Sequence, residues 1–190
     1  AAQAELKEKY PERKFVVVDT LSISLPQTLL ILGAHELYEK GAPMEEVAQW
    51  VMDNRLKSHA WFTVGDLVYL RRGGRISPTS AIVGTMLDIK PILTLTKAGK
   101  LEAHSKVQGR KKAMRALVDK VAEYIENPDK QSMYVFHGDT QDEAEILKNQ
   151  IKNRLPEIKE IKLQMIGPVI GAHAGPGTLA VCFMGKERPI

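Results

Sequence analysis

The arginine of the stretch LRRGGRISPTS is the first side chain whose setting suits chemistry. Arg75 follows a pair of glycines, and Ser77 with the proline after it predicts a helix start, where unpaired N–H groups and a partial positive charge favour anions. We therefore predict that Arg75 and Ser77 bind an anionic ligand. The plainer interpretation is that the glycines end one helix, Ser77 caps the next, and Arg75 is a surface charge.

A lone histidine lies in a second glycine-rich stretch, IGPVIGAHAGPGTLAV. We expect a loop in which glycines adopt positive φ and let a ligand approach the backbone, while the imidazole forms a hydrogen bond. Histidine also titrates close to neutral pH, which suits proton transfer. The predicted ligand-binding residues are His173, Gly171, Gly175 and Gly177. The alternative is a tight turn between two strands that contains His173 by chance.

Apolar residues close to both motifs are of the kind that line a slot for an alkyl chain. Several lie within a few residues of Arg75 or His173, so a ligand with an anionic head and an apolar tail suits both motifs. Ordinary core packing explains the same residues on composition alone. The predicted acyl pocket comprises Ile82, Val83, Met86, Leu87, Ile92, Leu93, Leu95, Met165, Ile170 and Phe183.

Other polar residues predict weaker sites. The five histidines share no spacing typical of metal ligands and the single cysteine forms no paired motif, so we expect neither a metal nor a cofactor. Five cations between Lys106 and Arg115 oppose the dipole of the helix that they begin, which fits either an acidic partner or a solvated face. An RNA-binding module would use these cations, but only 6% of residues are aromatic, and we expect no nucleic-acid partner.

Composition sets broader limits. The chain has 190 residues, 44% of them hydrophobic, and a formal net charge of +4, which predicts a globular protein with a packed core. No apolar run is long enough to span a bilayer, and the first residues do not resemble a signal peptide, so we expect no membrane insertion. Cys182 lies in an apolar run and is expected to act as a small hydrophobe in a reducing cytoplasm.

The predicted elements divide the chain near residue 58. Before it, the run FVVVDT (residues 15–20) predicts one parallel strand, followed by helices over 26–40 and 44–57. A single strand cannot form a sheet, so we expect its neighbours in a missing N-terminal part or in another chain. We thus predict an α/β fold in which residues 1–58 are the remnant of a first, parallel-sheet domain.

The predicted second domain, residues 59–190, mixes strands and helices in an antiparallel or mixed α+β arrangement. Strand HAWFTV leads to a short helix capped by Asp66, and a further helix is expected from Ser77 to Leu87. A hairpin joins PILTLT to KLEAHSKV, and a helix covers 109–127. Strand SMYVFHG, a helix over 140–155 with a Thr140/Glu143 capping box, and strands KLQMIG and TLAVCFMG complete the prediction.

Three segments together resemble one known family in order and spacing: FTVGDLVYLRRGGRISPTSAIVGTMLDIKPILTL, KLEAHSKVQGRKKAMRAL and IGPVIGAHAGPGTLAVCF. They are similar to the DegV family of bacterial fatty-acid-binding proteins, and the resemblance covers essentially the whole chain. It implies a two-domain α/β fold that holds a long-chain fatty acid with its carboxylate at the domain junction and its tail in the C-terminal domain. It also implies that Arg75 and His173 lie close to the carboxylate.

The sequence departs from the family pattern at two places. The TSQPS-like and SGT motifs, which the resemblance associates with the carboxylate, are not found in this sequence. Gln108 stands where many relatives have arginine, in a region that the resemblance links to docking on a fatty acid kinase. The resemblance as a whole implies a fatty acid carrier, which is a non-catalytic protein. Some relatives present the bound fatty acid to such a kinase. The alternative is a phosphoryl- or acyl-transfer enzyme with His173 as general acid/base, although no P-loop, nucleophile elbow or carboxylate-rich Mg²⁺ motif occurs.

Overall fold

The computed structural model describes residues 2–76 and 88–190. The helices are α1 (Ala2–Lys9), α2 (Ser24–Glu39), α3 (Met44–Asn54), α4 (Val68–Arg72), α5 (Arg110–Tyr124), α6 (Gln141–Arg154) and α7 (Pro168–Ala174). The strands are β1 (Ser58–Thr63), β2 (Ile89–Leu95), β3 (Leu101–Gln108), β4 (Ser132–His137), β5 (Glu160–Met165) and β6 (Leu179–Met184). The expected helix from Ser77 to Leu87 lies outside the described residues.

The six strands form one mixed sheet in the order β3-β2-β1-β6-β4-β5. All neighbours are antiparallel except β4 and β5, which are parallel and are joined through α6. The predicted β2–β3 hairpin is confirmed. Parallel neighbours need a long crossover, and α6 provides it. The mixed α/β fold expected from the sequence is therefore the observed one.

The two faces of the sheet carry different side chains because successive residues of a strand point to opposite faces. One face has large residues such as Trp61, Val181 and Phe183, which pack with the apolar stripes of α5 and α6 into a continuous core. The other face packs against α2, α4 and α7 through a second cluster that includes Leu29 and Leu70. The candidate site lies on this second face.

The predicted strand over residues 15–20 is wrong for the described structure, where these residues have no regular secondary structure. A strand requires a neighbour for its backbone N–H and C=O groups, and no described segment lies beside this one as a strand. Its apolar side chains are correspondingly accessible, with Val17 72% exposed. The β-branched composition is real, but composition alone does not make a strand.

The Thr140/Glu143 capping box is also wrong. Thr140 is the N-cap of α6, but its side chain makes no capping hydrogen bond. Its hydroxyl instead donates to Glu143 Oε2 at 2.5 Å, and the Glu143 carboxylate accepts from Arg110 on α5. The Glu143 carboxylate pairs with the Arg110 guanidinium because a charge-assisted hydrogen bond is stronger than one to the neutral backbone N–H of Thr140.

No helix within residues 2–76 and 88–190 has the length and apolar character that a membrane crossing requires.

A candidate ligand cavity

A cavity of about 340 Å³ lies between the sheet and the helices of its second face. This volume is within the range of small-molecule sites, about 300 to 1,000 Å³. Almost all of its lining is apolar. The lining residues are Ile23, Ser24, Pro26, Ala60, Phe62, Leu70, Arg75, Leu95, Leu101, Phe136, Ile166, Val169, Ile170, His173, Ala174, Thr178, Ala180 and Cys182.

Small side chains on the two central strands form the floor of this cavity. Ala60 on β1 pairs with Cys182 on β6, and Phe62 pairs with Ala180. The odd-numbered residues of both strands point to the opposite face, where they are large. The floor is therefore low at Ala60, Ala180 and Cys182, whose small side chains leave room above the sheet beside Phe62.

Strand register gives the cavity two ends. Thr178, just before β6, marks one end of the cavity. Ala180 and Cys182, at successive steps of two residues along β6, follow toward the other end. At about 3.3 Å per residue, Thr178 and Cys182 are separated by about 13 Å. Ser22 Oγ lies 3.1 Å from Ser58 Oγ, and Ser58 pairs with Met184, so Ile23 and Ser24 are on the Cys182 side. We call the Thr178 side the polar end and the Cys182 side the distal end.

Arg75 and His173 both line the cavity. His173 precedes Ala174, whose carbonyl accepts from the Thr178 hydroxyl, so it lies at the polar end. Arg75 follows α4, and its Nη1 donates to the carbonyl of Gly73 at 2.6 Å. His173 is in the last turn of α7, which packs against α4. A guanidinium and an imidazole thus share one end of an otherwise apolar cavity.

Two glycines allow α4 and α7 to approach so closely. A Cβ on Gly73 would lie 2.3 Å from His173 Nδ1, and a Cβ on Gly175 would lie 2.4 Å from Cδ2 of Tyr69. Real Cβ atoms do not tolerate such distances, so neither position has room for a larger residue. Gly175 also has φ +78°, which other residues rarely adopt. The glycines that flank Arg75 and His173 therefore bring the two motifs together.

Hydrogen bonds fix the turn that follows His173. The buried Thr178 hydroxyl donates to the carbonyls of Ala174, at 3.0 Å, and Gly175, at 2.8 Å. Arg110 Nη2 donates to the carbonyl of Gly177 at 2.7 Å and to Glu143 Oε2 at 2.8 Å. This hydrogen bonding to Arg110 lowers the pKa of the Glu143 carboxyl. The turn is thus tied to both α5 and α6.

The Nδ1 atom of His173 is buried and has no hydrogen-bond partner among the described residues. A buried polar atom without a partner costs free energy, and such atoms are concentrated where a ligand or water completes the site. Chemically, the polar end offers a permanent cation and one titratable ring, which suit the binding of a carboxylate. The described residues contain no group of three or more potential metal ligands.

The family model described as "Uncharacterised protein, DegV family" matches residues 1–186. The chain belongs to the DegV family. A DegV domain-containing protein from Clostridium perfringens is 41% identical over 187 residues, which cover 98% of this chain and 64% of that protein. The family resemblance expected from the motifs is therefore confirmed.

Solved DegV structures share the fold. A protein from Thermus thermophilus, described as a fatty-acid-binding DegV family protein, matches with a TM-score of 0.83 at 31% identity. A fatty-acid-binding DegV family protein from Streptococcus agalactiae matches with a TM-score of 0.81 at 29% identity. These matches cover 96% and 97% of this chain but only 65% and 64% of the solved chains. This chain therefore spans somewhat less than two thirds of the length of its DegV relatives.

The other residues predicted from the DegV-like motifs lie in several places. Among the glycines expected to bind ligand, Gly171 is inside α7, and Gly175 and Gly177 shape the turn after it; none of the three lines the cavity. The expected loop around His173 is wrong, since α7 extends through Ala174. Ser77 lies outside the described residues.

The predicted acyl-pocket residues are divided between the two faces of the sheet. Ile170 and Leu95 line the cavity. Leu93 is buried in the cluster of the same face but does not reach the cavity. Ile92 and Phe183 belong to the opposite core, so placing them in the pocket was wrong. Met165 is 62% exposed at the end of edge strand β5 and is also not in the pocket. Ile82, Val83, Met86 and Leu87 lie outside the described residues.

Sequence reasoning missed most of the floor. Ala60, Ala180 and Cys182 attract no attention as binding residues because they are small and ordinary. A usable signal was present in β6, which alternates small with large residues in AVCF, so that only its small set leaves space. The sequence does not say which strands are adjacent, so the floor emerges only from the pairing of Ala60 with Cys182.

Proposed function

We propose that this chain binds a long-chain fatty acid, with the alkyl tail in the cavity and the carboxylate at Arg75 and His173. One observation carries the proposal: both side chains line one largely apolar cavity and both lie beside Gly73. Burial of the tail stabilises the complex by about 0.8 kcal/mol per methylene, while the polar end selects the orientation. The nearby guanidinium favours the ionised carboxylate. The descriptions of the Thermus and Streptococcus relatives as fatty-acid-binding support the same ligand class.

Calorimetric titration with palmitate tests this assignment. We expect Arg75→Gln and His173→Gln each to weaken palmitate binding by about 10-fold to 100-fold, because a charge-assisted hydrogen bond contributes about 1.5 to 3 kcal/mol. Arg72→Gln is the matched control, since this exposed arginine ends α4 without lining the cavity. The methyl ester of palmitate should bind the wild type and both cavity variants alike. Equal palmitate affinity in all four proteins would contradict the assignment.

We also propose that residues 1–58 belong to a first α/β unit and residues 59–190 to a second. An apolar groove of about 310 Å³ supports this division. It lies between the segment of Val16 and Val18 and helices α2 and α3, where a neighbouring strand would cover it. We expect palmitate to bind this chain more weakly than it binds a full-length relative, because the TSQPS-like and SGT motifs that the resemblance associates with the carboxylate are not found in this sequence. Equal affinities in parallel titrations would refute that expectation.

The proposed role is that of a non-catalytic carrier. Presentation of the carboxylate to a fatty acid kinase is a further part of the proposal that rests on the family resemblance, and Gln108 in place of an arginine counts against tight docking. The test is phosphorylation of bound palmitate by a DegV-partner kinase, with Gln108→Arg as the comparison. Hydrolysis of acyl phosphate that disappears in His173→Ala would instead favour the transferase alternative.

A further inference from the structure

Arg188 is a buried cation near the C-terminus, far in sequence from every residue that it contacts. Its side chain is only 1% exposed. Nε donates to the carbonyl of Ser58 at 3.0 Å, and Nη1 donates to the carbonyls of Leu21 at 2.8 Å and Thr96 at 3.0 Å. Nη2 donates to the hydroxyls of Ser22 at 2.5 Å and Ser58 at 3.2 Å. One guanidinium therefore joins three separate segments.

These acceptors are all neutral. Within residues 2–76 and 88–190 no carboxylate forms a salt bridge with Arg188. Burying a charge without an ionic partner is costly unless hydrogen bonds use its donors, and the planar fork of arginine suits several fixed acceptors at once. The contacts thus indicate that Arg188 holds these segments in place.

The segment that it holds leads directly into the cavity wall. Leu21 has φ +48° and Ser24 has φ +55°, a region that residues other than glycine rarely occupy. Such conformations persist only where the surroundings fix them. The Leu21 N–H donates to Asp19 Oδ1 at 2.9 Å, and its carbonyl is bound by Arg188. The next residues, Ile23 and Ser24, line the distal end of the cavity.

We propose that Arg188 is a positioning residue that closes the distal end of the cavity by holding the segment of Leu21 to Ser24 against β1 and β2. Its consequence for specificity rests on the proposed fatty acid function: the wall limits how far a tail extends beyond Cys182. Loss of the guanidinium frees the wall, so the protein discriminates less between tails of different length.

The first measurement is binding of saturated fatty acids of 10 to 18 carbons to the wild type, Arg188→Lys and Arg188→Met. Lysine keeps the charge but lacks the planar guanidinium with its several N–H donors, and methionine lacks both. We therefore expect affinity to depend less on chain length in both variants than in the wild type. Ser22→Ala removes one acceptor and serves as a milder variant if the arginine variants fold poorly. Ile151→Ala is the control, since it lowers stability from the core of the opposite face.

The second measurement needs no fatty acid. Cys182, the single cysteine, lines the cavity and is buried, and burial raises the pKa of its thiol to about 12. Opening of the distal wall should expose it to a small thiol reagent. We expect labelling in Arg188→Lys or Ser22→Ala to be at least about 10-fold faster than in Ile151→Ala under conditions where their unfolding free energies are equal. Hydrogen exchange over residues 19–24 should rise in the same variants.

The outcomes separate the two proposals. Fast labelling with no fatty acid binding by the wild type supports the role of Arg188 in the wall and overturns the proposed function. Fatty acid binding with labelling and chain-length dependence as in Ile151→Ala overturns the role of Arg188 and leaves the proposed function standing.

Discussion

The imidazole of His173 packs directly against Gly73, so closely that a Cβ on the glycine would lie 2.3 Å from Nδ1. The carbonyl of Gly73 also accepts a hydrogen bond from Arg75 Nη1, at 2.6 Å. One residue without a side chain therefore contacts both groups proposed to bind the carboxylate. The two glycine-rich motifs, about 100 residues apart, form one structural unit because α4 and α7 meet at this glycine.

Substitution of Gly73 should damage both stability and binding. We expect Gly73→Ala to lower the unfolding free energy by about 1 to 3 kcal/mol, the usual cost of overpacking, because the ring of His173 must move. Palmitate affinity should fall with it. Gly171→Ala is the matched control: this α7 glycine has room, with Ile166 Cδ1 3.7 Å from the added Cβ, and alanine favours the helix. Urea denaturation and calorimetry provide the measurements, and equal effects of the two substitutions would show that the Gly73 contact is unimportant.

Filling the floor of the cavity should change which tails fit. Cys182→Leu adds volume at the distal end, and we expect palmitate affinity to fall at least about 10-fold, or about 1.4 kcal/mol, while decanoate loses less. Val181→Leu adds one methylene one residue away on the opposite face, so it should lower stability without altering the preference for chain length. An unchanged ratio of the two affinities in Cys182→Leu would place the tail elsewhere.

Stability should fall in mild acid because of a buried histidine. His59 is fully buried, and burial lowers its pKa to about 4 from the usual 6.5. Between these values the unfolded chain binds a proton that the folded chain excludes, so stability is complete above pH 6.5 and decreases toward pH 4. The expected contribution to the loss between pH 7 and pH 5 is about 2 kcal/mol. Denaturation of the wild type and His59→Gln at both pH values isolates this contribution, because other groups are common to both proteins.

His35 provides the control for that experiment. Its side chain is 62% exposed whereas His59 is buried, so His35→Gln shows how far the loss of a surface imidazole alone changes the difference between pH 7 and pH 5. A wild type and a His59→Gln variant that lose the same stability over this interval would contradict the assignment to His59.

Removing the Glu143 charge should loosen the turn after His173. In Glu143→Gln, Arg110 loses the carboxylate that orients it while it donates to the Gly177 carbonyl. We expect the unfolding free energy to fall by about 1 kcal/mol, since the Arg110–Glu143 ion pair is partly exposed to solvent and therefore screened. Glu145→Gln on α6 removes the same charge from a different side of the helix. Thermal denaturation compares Glu143→Gln with Glu145→Gln, and the former should be the less stable. Hydrogen exchange over residues 174–178 should increase only in Glu143→Gln.

The sequence predicted most of the fold because periodicity and turn residues act locally. The β2–β3 hairpin, the helices now seen as α5 and α6, and the closing strand β6 follow from patterns within a single segment. The strand at residues 15–20 failed for the complementary reason: its β-branched residues favour an extended chain, but a strand exists only with a partner.

The sequence by itself determined the family and the presence of enough apolar residues for a tail, and it predicted that Arg75 and His173 bind an anion. Only the tertiary structure decided which apolar residues face the cavity, because side chains alternate between faces and strand pairing is long-range. Ile92 and Leu95 are three residues apart in β2 and point to opposite faces, so Leu95 lines the cavity while Ile92 packs in the opposite core. Likewise, the structure alone brought Ala60 beside Cys182 and Gly73 beneath His173, since contacts between distant residues depend on how whole elements pack.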